Sequence, residues 1–259
     1  MPILNMIYWA TWGGGWTPVD TPWIYRNSVS WVISFQTSAW VGISIADKNL
    51  WATTVYNSWD TYSFSNIGYG YERGNNYGWQ YNVNPTNTSN TREDTTWYWP
   101  WNYYSSDVFI LISQQEDSYY RWSSANNDDL RWGTTGTYQA RRWPCAEWWH
   151  IPSGADAQTL VDAISSITWS VSWTTIKQYC KLTNRIPTIN RFDWTWNDWD
   201  WGWIVYSDAY NTPSAWLLYL PDDWTHVVNE NCRKSNAFPQ RPFSNTFIQP
   251  TTTWTRLDS

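Results

Sequence analysis

Three aspartates lie close together in one short segment of the chain: Asp193, Asp198 and Asp200. A hard cation such as Ca²⁺ binds clustered carboxylate and carbonyl oxygens, so this segment could hold a calcium ion. The ordinary alternative is a solvated acidic turn, and we expect no cofactor. Paired carboxylates for glycoside hydrolysis need only meet in space, and the sequence singles out no such pair.

The chain has 2 histidines and 3 cysteines, which limits the chemistry it can carry. His150 lies just before a predicted helix, where we expect it to hydrogen-bond the turn rather than act as a catalytic base. No Gly-rich phosphate loop precedes a helix, and neither Cys-x-x-Cys nor His-x-x-x-His spacing occurs, which disfavours nucleotide-dependent and zinc chemistry. The three cysteines, Cys145, Cys180 and Cys232, allow one disulfide at most, and only in an oxidising compartment.

Charge and hydropathy disfavour two classes of partner. The formal net charge is −6 and no run of Lys or Arg occurs, so the chain lacks the basic surface that nucleic-acid phosphates require. No apolar run reaches the ~18 residues of a membrane span. The start of the chain has no Lys or Arg and so lacks the basic region of a signal peptide. We therefore expect export by another route, or a chain that is a piece of a longer one.

One helix is predicted with defined boundaries. Ser153 can act as its N-cap, with Asp156 three residues later in a variant of the capping box. The apolar residues that follow recur at helical spacing, so we expect one face to pack against a sheet; they are Ala157, Leu160, Val161 and Ile164. Strands are predicted at residues 29–35, 108–112, 216–220 and 225–228.

The chain divides by texture into three parts. Residues 1–42 combine a Gly-rich turn with β-prone stretches and are expected to form a strand-rich N-terminal extension. Residues 43–247 alternate β-prone segments with long polar loops, and we expect them to form one domain. Residues 248–259 are rich in Thr and predict a linker or tail.

Tryptophan is abnormally frequent. The chain has 27 Trp and 12 Gly, whereas a usual Gly share of about 7% would give roughly 18. Many Trp stand in polar segments typical of turns, such as residues 99–102 and 194–202, where Gly would supply a positive φ. The alternative is a genuinely aromatic-rich protein, such as a glycan binder that stacks sugars on indole rings.

Five short motifs stand out together. They are IADKNLWATT at residues 45–54, YERGNNYG at 71–78, GTY at 136–138, PCAEWWHIPS at 144–153 and NAFPQRPF at 236–243. Through these motifs, residues 43–247 resemble the Fibrobacter succinogenes major paralogous domain family. The resemblance implies a C-type-lectin-like α+β fold, with short antiparallel strands, one or two helices and long loops, in a surface or secreted module.

The chain departs from related patterns at two places. Trp196-Asn197-Asp198 matches a triplet of calcium-dependent lectins, but the carbohydrate-selecting motif that accompanies it there is missing. The closing Arg-Cys-Phe of the family is Arg241-Pro242-Phe243 here, so the usual partner of Cys145 is absent. We therefore expect Cys145 to be a free thiol.

Eight Trp stand where the family pattern has Gly: Trp51, Trp59, Trp97, Trp99, Trp101, Trp132, Trp143 and Trp148. We interpret them as the result of an alternative genetic code in which UGA specifies Gly, the sequence having been written with UGA as Trp. Trp149 corresponds to an aromatic position, and we expect it and Trp79 to be genuine. A chain made as written would carry indoles at tight turns, at a cost wherever φ is positive.

Members of this fold also serve as variable proteins of diversity-generating retroelements, which rewrite adenines in a C-terminal coding segment and so diversify Asn codons. Residues 203–236 have such a mixture. By this resemblance, Leu218, Leu220, Phe238 and Arg241 hold the fold. The adaptable binding surface comprises Tyr206, Asp208, Tyr210, Asn211, Trp216, Tyr219, Asp222, Asn229, Asn231, Lys234 and Asn236. The alternative is that these are ordinary polar loop residues.

The sequence therefore predicts a non-enzymatic ligand-binding module, extracellular or at a cell surface, whose partner is a protein or a glycan. A conventional adhesin without hypervariability and a structural spacer are two alternatives. An enzyme is the third, because the same broad fold occurs in formylglycine-generating enzymes. Those use cooperating C-terminal cysteines, whereas here only Cys232 lies in that region and Cys180 lies upstream.

Overall fold

The computed structural model describes residues 18–57, 59–72, 77–89, 107–110, 144–169, 173–182, 186–189, 195–199, 202–209, 214–220, 228–233 and 236–257. These residues form a mixed α+β structure with several antiparallel sheets and few helices. The coarse fold class predicted from the sequence is therefore confirmed.

The described residues contain three helices: α1 Phe64–Ile67, α2 Gly154–Thr168 and α3 Trp173–Cys180. The strands, in chain order, are β1 Trp23–Asn27, β2 Val32–Ser38, β3 Val41–Ala46, β4 Tyr69–Glu72, β5 Trp79–Gln80, β6 Asn87–Ser89, β7 Val108–Ile110, β8 Trp149–His150, β9 Ile186–Ile189, β10 Trp196–Trp199, β11 Gly202–Ala209, β12 Ser214–Leu220, β13 Val228–Arg233, β14 Ala237–Pro239, β15 Phe243–Ser244 and β16 Thr255–Arg256.

The largest sheet has six strands in the order β16-β1-β2-β3-β15-β8, each antiparallel to its neighbours. This sheet joins strands from all three parts into which the sequence was divided. Ile43, at the expected start of the domain, lies opposite Phe35 of β2. At the other end of the chain, Arg256 lies opposite Tyr25 of β1. The part of the chain expected to form a tail thus contributes an edge strand.

Three smaller sheets complete the structure. One has five strands in the order β10-β9-β14-β4-β5, and another has three in the order β11-β12-β13. The pairings within both are antiparallel. The last sheet consists of β6 and β7, which pair in parallel.

Two strand predictions are confirmed over the described residues: β12 covers the whole of the predicted strand 216–220, and β7 covers the first three residues of the predicted strand 108–112. Of the predicted strand 225–228, only Val228, the first residue of β13, is described. Residues 111–112 and 225–227 lie outside the described residues. The predicted start at Val29 is wrong, because the side-chain Oδ1 of Asn27 accepts hydrogen bonds from the backbone N–H groups of Val29 and Ser30, which makes a turn.

Helix α2 has the N-terminus that the sequence predicts. The Ser153 hydroxyl accepts the backbone N–H of Asp156, and the Asp156 carboxylate accepts the backbone N–H of Ser153, which completes a capping box. The buried face of the helix packs against β2 and β3, as expected; its residues are Ala157, Leu160, Ala163, Ile164 and Ile167. Full burial of each large aliphatic side chain contributes roughly 1.5–3 kcal/mol.

Strand β2 is buried on both faces of the six-stranded sheet, since its residues 32–36 are all buried and successive residues of a strand point to opposite faces. Ile33 and Phe35 belong to the core shared with α2. On the other face, the hydroxyl of Ser34 donates to the backbone carbonyl of Ile248 at 2.7 Å, and the amide of Gln36 donates to that of Val19 at 2.7 Å. The two ends of the described chain therefore cover this second face.

Among the described residues, no helix combines the length and the apolarity that a bilayer crossing requires.

Candidate functional site

The three-stranded sheet carries six of the predicted binding residues. Tyr206 and Asp208 lie on β11, Trp216 and Tyr219 on β12, and Asn229 and Asn231 on β13. The tertiary structure thus brings together residues that are spread over a long stretch of sequence. Four further predicted residues lie outside the described residues: Tyr210, Asn211, Asp222 and Lys234.

Ile204 anchors this sheet to the rest of the molecule. Its side chain is buried in the core that includes α2, and it lies opposite Leu218 of β12. Because residues alternate between the two faces of a strand, positions 216 and 218 lie on the Ile204 face. Position 219 lies on the other face.

The strand register divides the predicted surface. Trp216 lies opposite Asn231, and Leu218 lies opposite Asn229, which places positions 216, 229 and 231 on the face of Ile204. Tyr219, opposite Val228, is on the face away from Ile204. The binding residues predicted from the sequence therefore lie on both faces of one sheet.

An irregularity in β11 lies at two of the predicted residues. The pairing with β12 is regular up to Val205 and shifts before Ala209, so that Tyr206 and Asp208 fall within the irregular stretch. Such bulges are over-represented at sheet edges and beside binding or active sites, where they change the direction of side chains.

Asn236 differs from its predicted place on an adaptable surface. It is 7% exposed and directly precedes β14, which pairs with β4. A residue that enters a paired strand in this way is not open to a ligand. Phe238 and Arg241, by contrast, were expected to hold the fold and are buried, which confirms that expectation.

Arg241 links three segments of the chain. Its guanidinium donates to the side-chain Oδ1 of Asn49 at 3.1 Å and to the backbone carbonyls of Ala46 at 3.1 Å, Cys180 at 2.8 Å and Lys181 at 3.0 Å. Burial lowers the pKa of Arg241 to about 10, while the nearby carboxylate of Asp47 opposes this shift. The side chain is therefore charged at neutral pH and fastens the end of α3 to the end of β3.

The neighbouring Asp47 is fully buried and forms an ion pair with Arg26, whose Nε donates to its Oδ2. Sequence reasoning singled out Asp47 only as part of a motif and did not identify Arg26. No local signal could have done so, because the two residues are far apart in the chain and meet only when β1 and β3 join one sheet. The pair is part of the scaffold, because it joins strand β1 to the residue that follows β3.

His150 has the structural role that the sequence predicts. It is buried, with Nδ1 2.9 Å from Oδ1 of Asn245 and Nε2 3.2 Å from Oδ2 of Asp156. The same Asp156 oxygen accepts the backbone N–H and the hydroxyl of Ser153, at 2.7 Å each. The histidine therefore fastens the start of α2 to the segment after β15.

Cys145 and Cys180 are free and buried, as expected for Cys145. Burial raises the pKa of the Cys145 thiol above its ordinary range. Burial also raises the pKa of Cys180 to about 12, an effect that the Arg241 guanidinium partly opposes. A thiol is a nucleophile only as thiolate, so both groups are inert at neutral pH.

The predicted calcium segment is only partly described. Asp198 lies on β10, next to β9, whereas Asp193 and Asp200 lie outside the described residues. In the part of the chain that the structure describes, no three His, Cys, Asp or Glu residues come together in a group that could hold a metal ion.

A small apolar cavity of about 90 Å³ lies beside the six-stranded sheet. The residues that line it include Trp31, Leu50, Trp51, Trp149 and Pro242, together with Lys48. None of the predicted binding residues is among the lining residues.

Comparisons with protein-family models, with curated proteins and with solved structures found no match to this chain.

Proposed function

We propose that this protein is a non-enzymatic, C-type-lectin-like binding module, exported or displayed at a cell surface, which recognises a protein or a glycan. The observation that carries the proposal is the three-stranded sheet β11-β12-β13, which is anchored to the core through Ile204. It has the predicted binding residue Tyr219 on the face away from Ile204, and Tyr206 and Asp208 in the irregular stretch of β11. A rigid scaffold that presents polar and aromatic residues is what a recognition surface requires.

Ligand contacts come from the face of this sheet away from Ile204 and from the adjoining chain. Tyr219 is on that face, and the irregular stretch of β11 adds Tyr206 and Asp208. Tyr offers a large rigid contact area at low entropy cost, and short polar side chains offer adaptable hydrogen bonds. The predicted residues Tyr210 and Asn211 directly follow β11 in sequence.

The resemblance to variable proteins implies that this surface is diversified by a retroelement. A scaffold suits such diversification when its fold depends on residues outside the varied positions. Phe238 and Arg241 satisfy this condition, since both are buried and Arg241 makes four hydrogen bonds to other segments.

The encoding DNA and its flanks test the diversification. We expect a near-copy of the segment that encodes residues 203–243, differing at adenines, beside a gene for a reverse transcriptase. A conventional adhesin or a structural spacer predicts no such copy. If the flanks of the complete locus contain neither element, the diversified receptor is refuted and the adhesin or spacer takes its place.

Thiol chemistry tests the enzyme alternative. A formylglycine-generating type of enzyme needs an accessible, cooperating cysteine pair, whereas Cys180 is fully buried and its pKa is raised to about 12. We expect a thiol reagent at neutral pH to leave Cys145 and Cys180 unmodified in the folded protein and to modify both after unfolding. Rapid modification of Cys180 in the folded protein would support the enzyme instead.

A further inference from the structure

Among the described residues, Trp occupies most of the non-glycine positions with a positive φ, the backbone conformation in which a side chain is most strained. Seven described non-glycine residues have a positive φ, and five of them are Trp: Trp31 at 57°, Trp40 at 64°, Trp51 at 64°, Trp148 at 70° and Trp169 at 58°. The left-handed region is crowded by Cβ, and a bulky residue there is a true outlier. The other two are Asn82 and Lys181.

Trp169 shows the mismatch most directly. It ends α2 in the left-handed conformation, with φ 58° and ψ 15°, and its backbone N–H donates to the carbonyl of Ser165. Helices commonly end with glycine in this conformation, because glycine has no Cβ to clash. The indole is 92% exposed, so no packing offsets the backbone strain.

Backbone and burial agree at seven described Trp, which form two classes. Trp40, Trp51, Trp148 and Trp169 have positive φ and side chains between 43% and 92% exposed. Three other Trp are buried and are not among the positive-φ residues: Trp79, Trp149 and Trp254. Trp59 belongs to neither class, because its side chain is 81% exposed and it is not among the positive-φ residues. A genuine Trp contributes by burial, and only the second class does so.

Two side-chain contacts, one at Trp31 and one at Trp51, favour a genuine Trp at these positions instead. The ammonium of Lys48 lies 4.2 Å from the ring centre of Trp31, and the Trp51 ring meets that of Tyr69 edge-on at 6.4 Å. Single cation–π and ring–ring contacts contribute modestly to stability, and these two concern only positions 31 and 51. The strain of a left-handed backbone at a non-glycine residue is common to all five positions.

We infer that the polypeptide made in the source organism has glycine at Trp31, Trp40, Trp51, Trp148 and Trp169, and Trp at Trp79, Trp149 and Trp254. Of these five positive-φ positions, the resemblance to the family pointed only to Trp51 and Trp148. The backbone conformation extends the inference to Trp31, Trp40 and Trp169, which no motif singled out.

This inference changes where ligands are to be sought. The indoles at these positions are then not stacking platforms for sugars, which removes the main support for an aromatic-rich glycan binder. The cavity of about 90 Å³ loses two of its walls, Trp31 and Trp51. The inference stands on the backbone and holds whether or not the three-stranded sheet binds a ligand.

The codons and the natural polypeptide give the first test. We expect UGA at all five positive-φ positions and UGG at Trp79, Trp149 and Trp254. Peptide mass mapping of the protein isolated from its source should show Gly at the five positions. UGG codons at the five, or Trp in the natural peptides, would overturn the inference.

Recombinant variants give a second test that does not need the source organism. We expect Trp169→Gly to raise the folding equilibrium constant about tenfold, the equivalent of the strain of one left-handed residue. Trp169→Ala keeps Cβ and should raise the folding equilibrium constant much less than Trp169→Gly does. Trp149→Gly should lower this constant by more than tenfold. Urea unfolding measures all three, and equal effects of Gly and Ala at position 169 would contradict the backbone argument.

If the chain as written does not fold, the variant with glycine at all five positions serves as the parent. Restoring Trp at position 169 alone should then lower its folding equilibrium constant about tenfold. A five-glycine chain that also fails to fold, or that is less stable than the chain as written, would refute the inference.

Discussion

Replacing Arg241 with methionine should destabilise this protein more than the loss of any exposed cation. Met fills a similar volume and removes only the charged fork. Four acceptors then lose their donor: the side-chain oxygen of Asn49 and the backbone carbonyls of Ala46, Cys180 and Lys181. The substitution also removes the charge interaction between the guanidinium and the nearby carboxylate of Asp47, whose ion-pair partner is Arg26.

The magnitude follows from the burial of these groups. Loss of a hydrogen bond at a buried acceptor costs about 1–3 kcal/mol. Four acceptors lose such a bond together and the costs do not simply add, so we expect a total loss in the free energy of unfolding of about 3–5 kcal/mol. Whole domains are stable by about 5–15 kcal/mol, so the variant should be close to its unfolding limit.

Urea unfolding at neutral pH measures this loss as a midpoint lowered by more than about 1 M. Arg256→Met is the matched control, because that guanidinium lies 4.2 Å over the Trp23 ring at the surface and should cost only about 0.5–1 kcal/mol. Arg241→Lys keeps the positive charge but lacks the planar guanidinium, and its loss in the free energy of unfolding should lie between those of the other two variants. If Arg241→Met costs no more than Arg256→Met, the buried network does not hold the fold and the reasoning fails.

Three further predictions concern the helix cap, a buried thiol and the three-stranded sheet. Ser153→Ala should lower the free energy of unfolding by about 0.5–2 kcal/mol, as measured with urea. Ser166→Ala, at an exposed position of the same helix, should leave it almost unchanged, and equal effects of the two substitutions would show that the Ser153 cap does not stabilise the helix. Burial raises the pKa of Cys180 from 9.0 to about 12, so the thiol ionises at lower pH in the unfolded chain than in the folded protein. The free energy of unfolding that this thiol contributes should therefore be fully present below about pH 9 and should decrease as the pH rises from there towards 12. Cys180→Ala should flatten that fall, and an unchanged slope would refute the assignment. Ile204→Ala truncates a buried side chain and should lower the free energy of unfolding by about 2–5 kcal/mol. Tyr219→Thr, on the opposite face of the sheet, should change it by no more than about 0.5 kcal/mol. A larger loss would show that Tyr219 has a structural role instead of a binding one.

The sequence by itself determined the features that depend on neighbours along the chain. The N-terminus of α2 is one, because a capping box joins residues three apart through their own side chains and backbone. The structural role of His150 is another, since one of its partners is Asp156 in the cap that follows it. The apolar spacing of α2 also indicated that a sheet would cover it.

Only the tertiary structure decided which distant segments meet. Nothing near Arg26 or near residues 255–256 reveals that they join one sheet with β3, because a strand's pattern specifies its face and not its partner. The same holds for the four acceptors that converge on Arg241. The positive φ of Trp31, Trp40 and Trp169 is likewise a property of the folded path, because the turn geometry there is imposed by the strands and the helix on either side. Local hydrogen bonds can be read from residue spacing, whereas sheet partners and backbone strain arise only when the chain closes on itself.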